Sequence, residues 1–160
     1  MASAISQLAR EGAPTRALMT AGFVAFGLLV PLYARALGTR LGRPVQAAVT
    51  VSGLATLAVA ALPLSRQGGQ PVDTWHAVAA ATGYVAQVAA PVLGGRRLAP
   101  GSARTASTAS YAVGALAALC LVGSVLVPGA TGLLQRTGLT LVDLWYAAVA
   151  VHLLRTAPRG

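Results

Sequence analysis

Residues 109–127 read ASYAVGALAALCLVGSVLV, a run of nineteen residues without one charged side chain. The hydrocarbon core of a bilayer is about 30 Å thick, and an α-helix needs about 20 apolar residues to cross it. Within lipid the backbone must satisfy its own hydrogen bonds, which a helix achieves and a lone extended segment does not. This stretch therefore predicts a transmembrane helix.

Four further stretches have the same apolar character, and short arginine-bearing gaps separate them. The five predicted membrane helices cover residues 17–34, 45–64, 74–93, 109–127 and 139–154. The fifth is the shortest and carries Asp143, so we expect it to pack against the neighbouring helices or to begin in the interfacial layer. The predicted fold is all-α, a polytopic transmembrane helical bundle that forms a single integral membrane domain over residues 1–160.

The composition agrees with a membrane location. Hydrophobic residues make up 56% of the chain and charged residues 9%, whereas about a quarter of the residues are charged in an ordinary soluble domain. The net charge of +9 does not indicate nucleic-acid binding, because the arginines are scattered through the gaps rather than gathered on one basic face. All twelve basic residues are arginine, which is typical of a GC-rich bacterial genome.

The arginine distribution predicts the orientation of the bundle. Cytoplasmic loops carry an excess of Arg and Lys, and one orientation places eight arginines inside: Arg35, Arg40, Arg43, Arg96, Arg97, Arg104, Arg155 and Arg159. The other four, Arg10, Arg16, Arg66 and Arg136, then lie outside. We therefore expect a multi-pass cell-membrane protein with residues 1–16 as a polar outer segment and residues 155–160 as a cytoplasmic tail. The inner arginines should contact anionic lipid headgroups.

An alternative interpretation treats residues 17–30 as the apolar part of a signal peptide. Ala34-Arg35-Ala36 would then be the cleavage site. Arg40 and Arg43 follow closely and would oppose translocation of the segment beyond. The membrane helix is the favoured interpretation.

One face of the third predicted helix is polar along its length. Asp73, His76, Tyr84 and Gln87 fall within about 80° of one another when a helix advances about 100° per residue. Such a stripe is costly against lipid, so it should face the bundle interior or a wet cavity. The alternative is structural, because Asp73 is also placed to cap the start of this helix.

The region around the start of the fifth predicted helix supplies two more candidate pocket residues, Arg136 and Asp143. Thr140 and Asp143 have the spacing of a capping box, with Asp in place of the usual Glu or Gln, and capping is the favoured interpretation. In the predicted orientation Asp143 and Arg136 also approach the polar stripe. The candidate polar pocket therefore comprises Asp73, His76, Tyr84, Gln87, Asp143 and Arg136.

The residues identify no catalytic site. A serine hydrolase acting on lipid could use Ser6 or Ser65 with His76 and Asp73 or Asp143, but no nucleophile elbow supports it. We expect no metal, because one histidine and scattered carboxylates lack the spacing of a metal site, and we expect no cofactor.

Ligand binding in the polar pocket is favoured over catalysis. The predicted ligand is a lipid or small amphiphile. An accessory subunit of a membrane complex, or a homo-oligomer, stays open as an alternative.

Several short motifs resemble a known family. They are Ile5-Ser6-Gln7-Leu8, Asp73 to His76 followed by Gly83-Tyr84, Gly132 to Thr140, and Leu144-Trp145. Together they resemble the bacterial membrane family catalogued as domain of unknown function 998. The resemblance implies about six membrane helices and no established activity, so function has to be argued from the site. It also implies that the family's first helix, which precedes the position of Ser6, is absent from this chain.

Overall fold

The computed structural model describes residues 4–98 and 104–155. These residues form five long α-helices and no strand: α1 (Arg16–Leu41), α2 (Arg43–Ala61), α3 (Pro71–Leu98), α4 (Arg104–Leu126) and α5 (Thr131–Arg155). A short 3-10 helix, Ile5–Ala9, precedes α1, and a second, Pro128–Ala130, leads into α5. All five α-helices are long and apolar enough to cross a membrane. The predicted helical, multi-pass architecture is confirmed.

The fifth helix begins well before its predicted start. It runs from Thr131, so Thr140 lies nine residues inside it and the capping interpretation of Thr140 and Asp143 was wrong. Gly132 and Gly138 do not interrupt the helix, and both are buried. A Cβ on Gly138 would stand 3.0 Å from the Cβ of Cys120 on α4, so this glycine lets the two helices approach closely.

The helices run alternately up and down, which gives the bundle two distinct ends. The Ser65 end holds the starts of α1, α3 and α5 and the turn between α2 and α3; the Arg40 end holds their other termini and the turn between α1 and α2. The described arginines of the Arg40 end are Arg35, Arg40, Arg43, Arg96, Arg97, Arg104 and Arg155. Arg159 lies outside the described residues. The arginine asymmetry thus separates the two ends, and which end faces the cytoplasm stays a prediction.

Neighbours in sequence pack against each other from α1 to α5, whereas α1 and α5 have no extensive backbone contact. The densest core lies towards the Arg40 end. Its fully buried side chains include Ala34 and Leu37 of α1, Val45 and Val49 of α2, and Val142 of α5. Ala34, the first residue of the alternative cleavage site, is therefore buried in the bundle core, and α1 continues without a break past it to Leu41.

A single residue links α1 to α2. Gly42 has φ 88°, a left-handed conformation that side-chain-bearing residues adopt at a cost. Pro44 follows within the first turn of α2, where its missing N–H leaves no intrahelical hydrogen bond unmade. This tight reversal holds α1 and α2 side by side.

Candidate functional site

A cavity of about 400 Å³ occupies the half of the bundle nearer the Ser65 end. Its walls come from α1, α2, α3 and α5, and the 3-10 helix Ile5–Ala9 contributes to it as well. The wall from α1 is mainly apolar, with Met19, Phe23 and Phe26, whereas α3 and α5 supply polar and charged groups. The cavity is therefore amphipathic.

The polar stripe of α3 faces this cavity. His76, Tyr84 and Gln87 all line it, together with Gly83. Gly83 packs closely on α2, where a Cβ would stand 3.3 Å from the Cβ of Ala55. The predicted helical face is thus the one turned towards the bundle interior.

His76 lines the cavity, and one of its two ring nitrogens is buried without a hydrogen-bond partner among the described residues. The side chain is 3% exposed, and its Nδ1 lies 2.6 Å from the carbonyl oxygen of Leu62. A carbonyl oxygen can only accept, so Nδ1 carries the proton of this hydrogen bond. The Leu62 carbonyl is available because α2 ends at Ala61, which leaves it without a partner within the helix. Nε2 has no hydrogen-bond partner among the residues the structure describes. In the neutral ring Nε2 is an acceptor.

The second polar wall is one face of α5. Arg136, Leu139, Thr140 and Asp143 line the cavity and follow the spacing of a single helical face. Arg136 donates from Nη1 to the carbonyl of Gly132 at 3.0 Å. Within residues 4–98 and 104–155, its remaining guanidinium N–H groups make no hydrogen bond or ion pair. Arg136 therefore keeps free donors at the cavity.

Asp73 does not line the cavity. The prediction that it belongs to the polar pocket was therefore wrong. Its carboxylate accepts hydrogen bonds from the Ser65 backbone N–H at 2.7 Å, the Ser65 hydroxyl at 2.7 Å and the Gln70 N–H at 2.9 Å. Gln70 directly precedes α3, so the last bond is the return bond of a capping box. Asp73 therefore stabilises the start of α3, as the structural alternative predicted, although it lies in the first turn rather than directly before the helix. It also anchors the α2–α3 turn through Ser65.

These bonds leave no serine–histidine–aspartate relay in this region. A relay needs the histidine between the serine and the carboxylate, whereas Ser65 donates directly to Asp73 and His76 donates to Leu62. Ser6 lines the cavity but makes no hydrogen bond with His76 among the described residues. Over the same residues no group of three or more His, Cys, Asp or Glu side chains could share a metal ion.

The segment before α1 lies against the cavity, which the sequence did not predict. The Ile5 N–H donates to Oε1 of Gln135 on α5 at 3.2 Å, and the Glu11 N–H donates to the Leu64 carbonyl at 2.9 Å. Ile5 and Gln135 both line the cavity. The apolar residues Ile5, Leu8 and Ala9 are the signal in the sequence that this segment packs on the bundle, and Ala9 is buried.

Comparisons with known proteins identify a family and no activity. Neither the curated proteins nor the solved structures contain a match to this chain. A family model described as a protein of unknown function, DUF998, matches residues 1–152. The match takes in the cavity walls and all but the end of α5, so it covers the whole candidate site. The chain belongs to the DUF998 family.

Proposed function

We propose that this protein binds a lipid or small amphiphile in the cavity beside His76 and Arg136. The observation that carries the proposal is the unpaired Nε2 of His76, on a side chain only 3% exposed. A buried polar atom without a partner costs about 1–3 kcal/mol. A ligand group that donates a hydrogen bond to Nε2 would remove this cost, so the empty acceptor favours a bound donor.

The remaining walls favour an amphiphile over a fully polar solute. Met19, Phe23 and Phe26 offer apolar surface on one side, while Arg136 offers free guanidinium donors on the other. A ligand with a polar head and an apolar body satisfies both sides at once. Polar groups this close to the bilayer interior are costly without a partner, which is a second reason to expect a ligand there.

The arginine asymmetry supports an outward-facing cavity. In the cell membrane, the positive-inside rule assigns the arginine-rich Arg40 end to the cytoplasm. The Ser65 end, with the cavity, would then meet the outer leaflet. The N-terminal segment lies at this end and the end of α5 at the other. The ligand would accordingly be drawn from the outer leaflet or the outer aqueous phase.

Native mass spectrometry of the purified protein tests the proposal. The parent should retain a lipid or amphiphile, and His76→Leu and Arg136→Gln should each retain much less of it. Asp73→Asn is the matched control, because Asp73 lies on the same helix as His76 but faces the α2–α3 turn. Equal retention by the parent, His76→Leu and Arg136→Gln would refute binding in this cavity.

A further inference from the structure

The cavity wall has a gap where α1 faces α5. Gly22 lines the cavity on α1, and a Cβ added there would meet no atom within 4 Å. Gly22 is also exposed at the surface of the bundle. Open space therefore adjoins Gly22, and no side chain closes the cavity at this residue.

Tyr33 shows which way the Gly22 face of α1 points. The two residues are eleven positions apart, which leaves them about 20° from alignment on a helix. Tyr33 reaches α5, where its hydroxyl donates to the carbonyl of Tyr146 at 2.7 Å. Gly22 has no side chain with which to make an equivalent contact. The same face of α1 therefore contacts α5 at Tyr33 but leaves open space beside Gly22.

The two polar groups that need a partner lie within reach of the headgroup layer. His76 and Arg136 each follow the start of their helix by five residues, about 7.5 Å along the axis. At 25 residues α5 is about 37 Å long, which exceeds the hydrocarbon thickness of about 30 Å. If α5 is centred in the bilayer, it extends about 4 Å beyond the hydrocarbon at each end, so the backbone of Arg136 lies about 4 Å inside that boundary. From this depth the long arginine side chain can reach the lipid phosphates.

The deeper part of the cavity contains polar groups on α3 and α5. Gln87 is eleven residues beyond His76 on α3, and Asp143 is seven residues beyond Arg136 on α5. An acyl chain directed down the bundle axis would bury these groups against hydrocarbon, at a cost in hydrogen bonding. A chain directed sideways at the height of Gly22 avoids them.

We infer that the ligand is an anionic phospholipid whose two acyl chains leave the cavity through the Gly22 gap. Its phosphate accepts hydrogen bonds from the free donors of Arg136, a pairing in which guanidinium matches phosphate oxygens. A headgroup hydroxyl donates to Nε2 of His76. The acyl chains pass between α1 and α5, on the Ser65 side of the Tyr33–Tyr146 contact, and enter the bilayer. This inference rests on the proposed function and adds the class of ligand and its direction.

Blocking the gap tests the direction separately from the binding site. Gly22→Leu should fill the gap without strain, since its Cβ meets nothing and Leu favours a helix more than Gly does. In nanodiscs of phosphatidylcholine containing phosphatidylglycerol, we expect Gly22→Leu to bind phosphatidylglycerol at least about tenfold more weakly than the parent does. Gly22→Ala is too small to fill the gap and Ala21→Leu points away from the cavity lining, so both should bind like the parent.

A soluble headgroup separates the two proposals. Glycerol phosphate carries the anion and the hydroxyls without a chain, so Gly22→Leu should bind it as well as the parent does, whereas Arg136→Gln should lose both probes. Equal phosphatidylglycerol binding by Gly22→Leu and the parent overturns the chain direction alone. Equal binding of phosphatidylcholine and phosphatidylglycerol by the parent overturns the anionic class. A parent that binds neither lipid nor glycerol phosphate overturns this inference, whereas the proposed function is overturned only if native mass spectrometry also finds equal retention by the parent, His76→Leu and Arg136→Gln.

Discussion

The hydroxyl of Tyr33 on α1 donates a 2.7 Å hydrogen bond to the backbone carbonyl of Tyr146 on α5. The two rings also meet edge to face, with centroids 5.9 Å apart and planes at 70°. Among the described residues this is the one hydrogen bond that joins α1 to α5. Because these helices lack extensive backbone contact, the pair closes the bundle between the cavity and the Arg40 end.

Removing the Tyr33 hydroxyl should weaken this closure while keeping the ring contact. We expect Tyr33→Phe to lower the free energy of unfolding by about 1 kcal/mol, the typical contribution of one hydrogen bond. Tyr33→Ala should lower it further, since the ring contact is also lost. Thermal unfolding in detergent measures both changes. Tyr111→Phe is the control, because the Tyr111 ring lies on α4 and is exposed; a similar loss in that variant would show that the effect is not specific to the α1–α5 bridge.

Asp73 should matter for the α2–α3 turn and not for the ligand. Its carboxylate holds Ser65 and Gln70, so Asp73→Ala should lower the thermal midpoint and increase proteolytic cleavage near Gly68 and Gly69. Ser65→Ala should reproduce part of the effect, because the Ser65 backbone N–H remains. Unchanged protease sensitivity in Asp73→Ala would contradict the anchoring role, and loss of bound lipid without loss of stability would return Asp73 to the ligand site.

The polar face of α3 could be predicted from the sequence because it depends on helical periodicity alone. His76, Tyr84 and Gln87 recur on one face, and the cost of polar groups against lipid requires that face to turn inward. Asp73 shares the angular position but lies in the first turn. At that height a carboxylate can turn back to the N–H groups of the preceding turn. Helical periodicity could not predict whether the Asp73 carboxylate binds these N–H groups or faces the cavity.

Other features depend on contacts between distant segments. The start of α5 was misplaced because Arg136 and two glycines made the region before Leu139 resemble a loop, whereas packing against α4 extends the helix to Thr131. With that start in place, the spacing of Arg136, Thr140 and Asp143 would have predicted their shared face. The gap at Gly22 depends on how α1 packs beside α5, which the Tyr33 contact shows. No local sequence pattern predicts the packing of two helices so distant in the chain.

Two glycines in apolar helices should respond oppositely to the same substitution. A Cβ on Gly94 would stand 2.5 Å from Cζ2 of the buried Trp145, so Gly94→Ala forces helix α3 and the indole apart. We expect a net loss of about 1–3 kcal/mol in the free energy of unfolding. Gly22→Ala meets open space and should gain up to about 1 kcal/mol from helix propensity.

Thermal unfolding of both glycine variants in one detergent measures this contrast. The indole Nε1 of Trp145 donates to the Ser110 hydroxyl at 2.8 Å, so tryptophan fluorescence of Gly94→Ala should also change as the ring moves. A Gly94→Ala variant as stable as the parent, with an unchanged emission spectrum, would contradict the close contact between α3 and α5.

The orientation can be tested with single cysteines at the two ends of the bundle. In a Cys120→Ala background, Gln67→Cys places a thiol in the exposed turn of the Ser65 end, and Thr39→Cys places one on the exposed surface of the Arg40 end. If the arginine-rich end is cytoplasmic, a membrane-impermeant maleimide should label Gln67→Cys in intact cells. It should label Thr39→Cys only after the cells are permeabilised. Labelling of both after permeabilisation controls for thiol reactivity. Labelling of Thr39→Cys alone in intact cells would place the cavity on the cytoplasmic side, so its lipid would come from the inner leaflet.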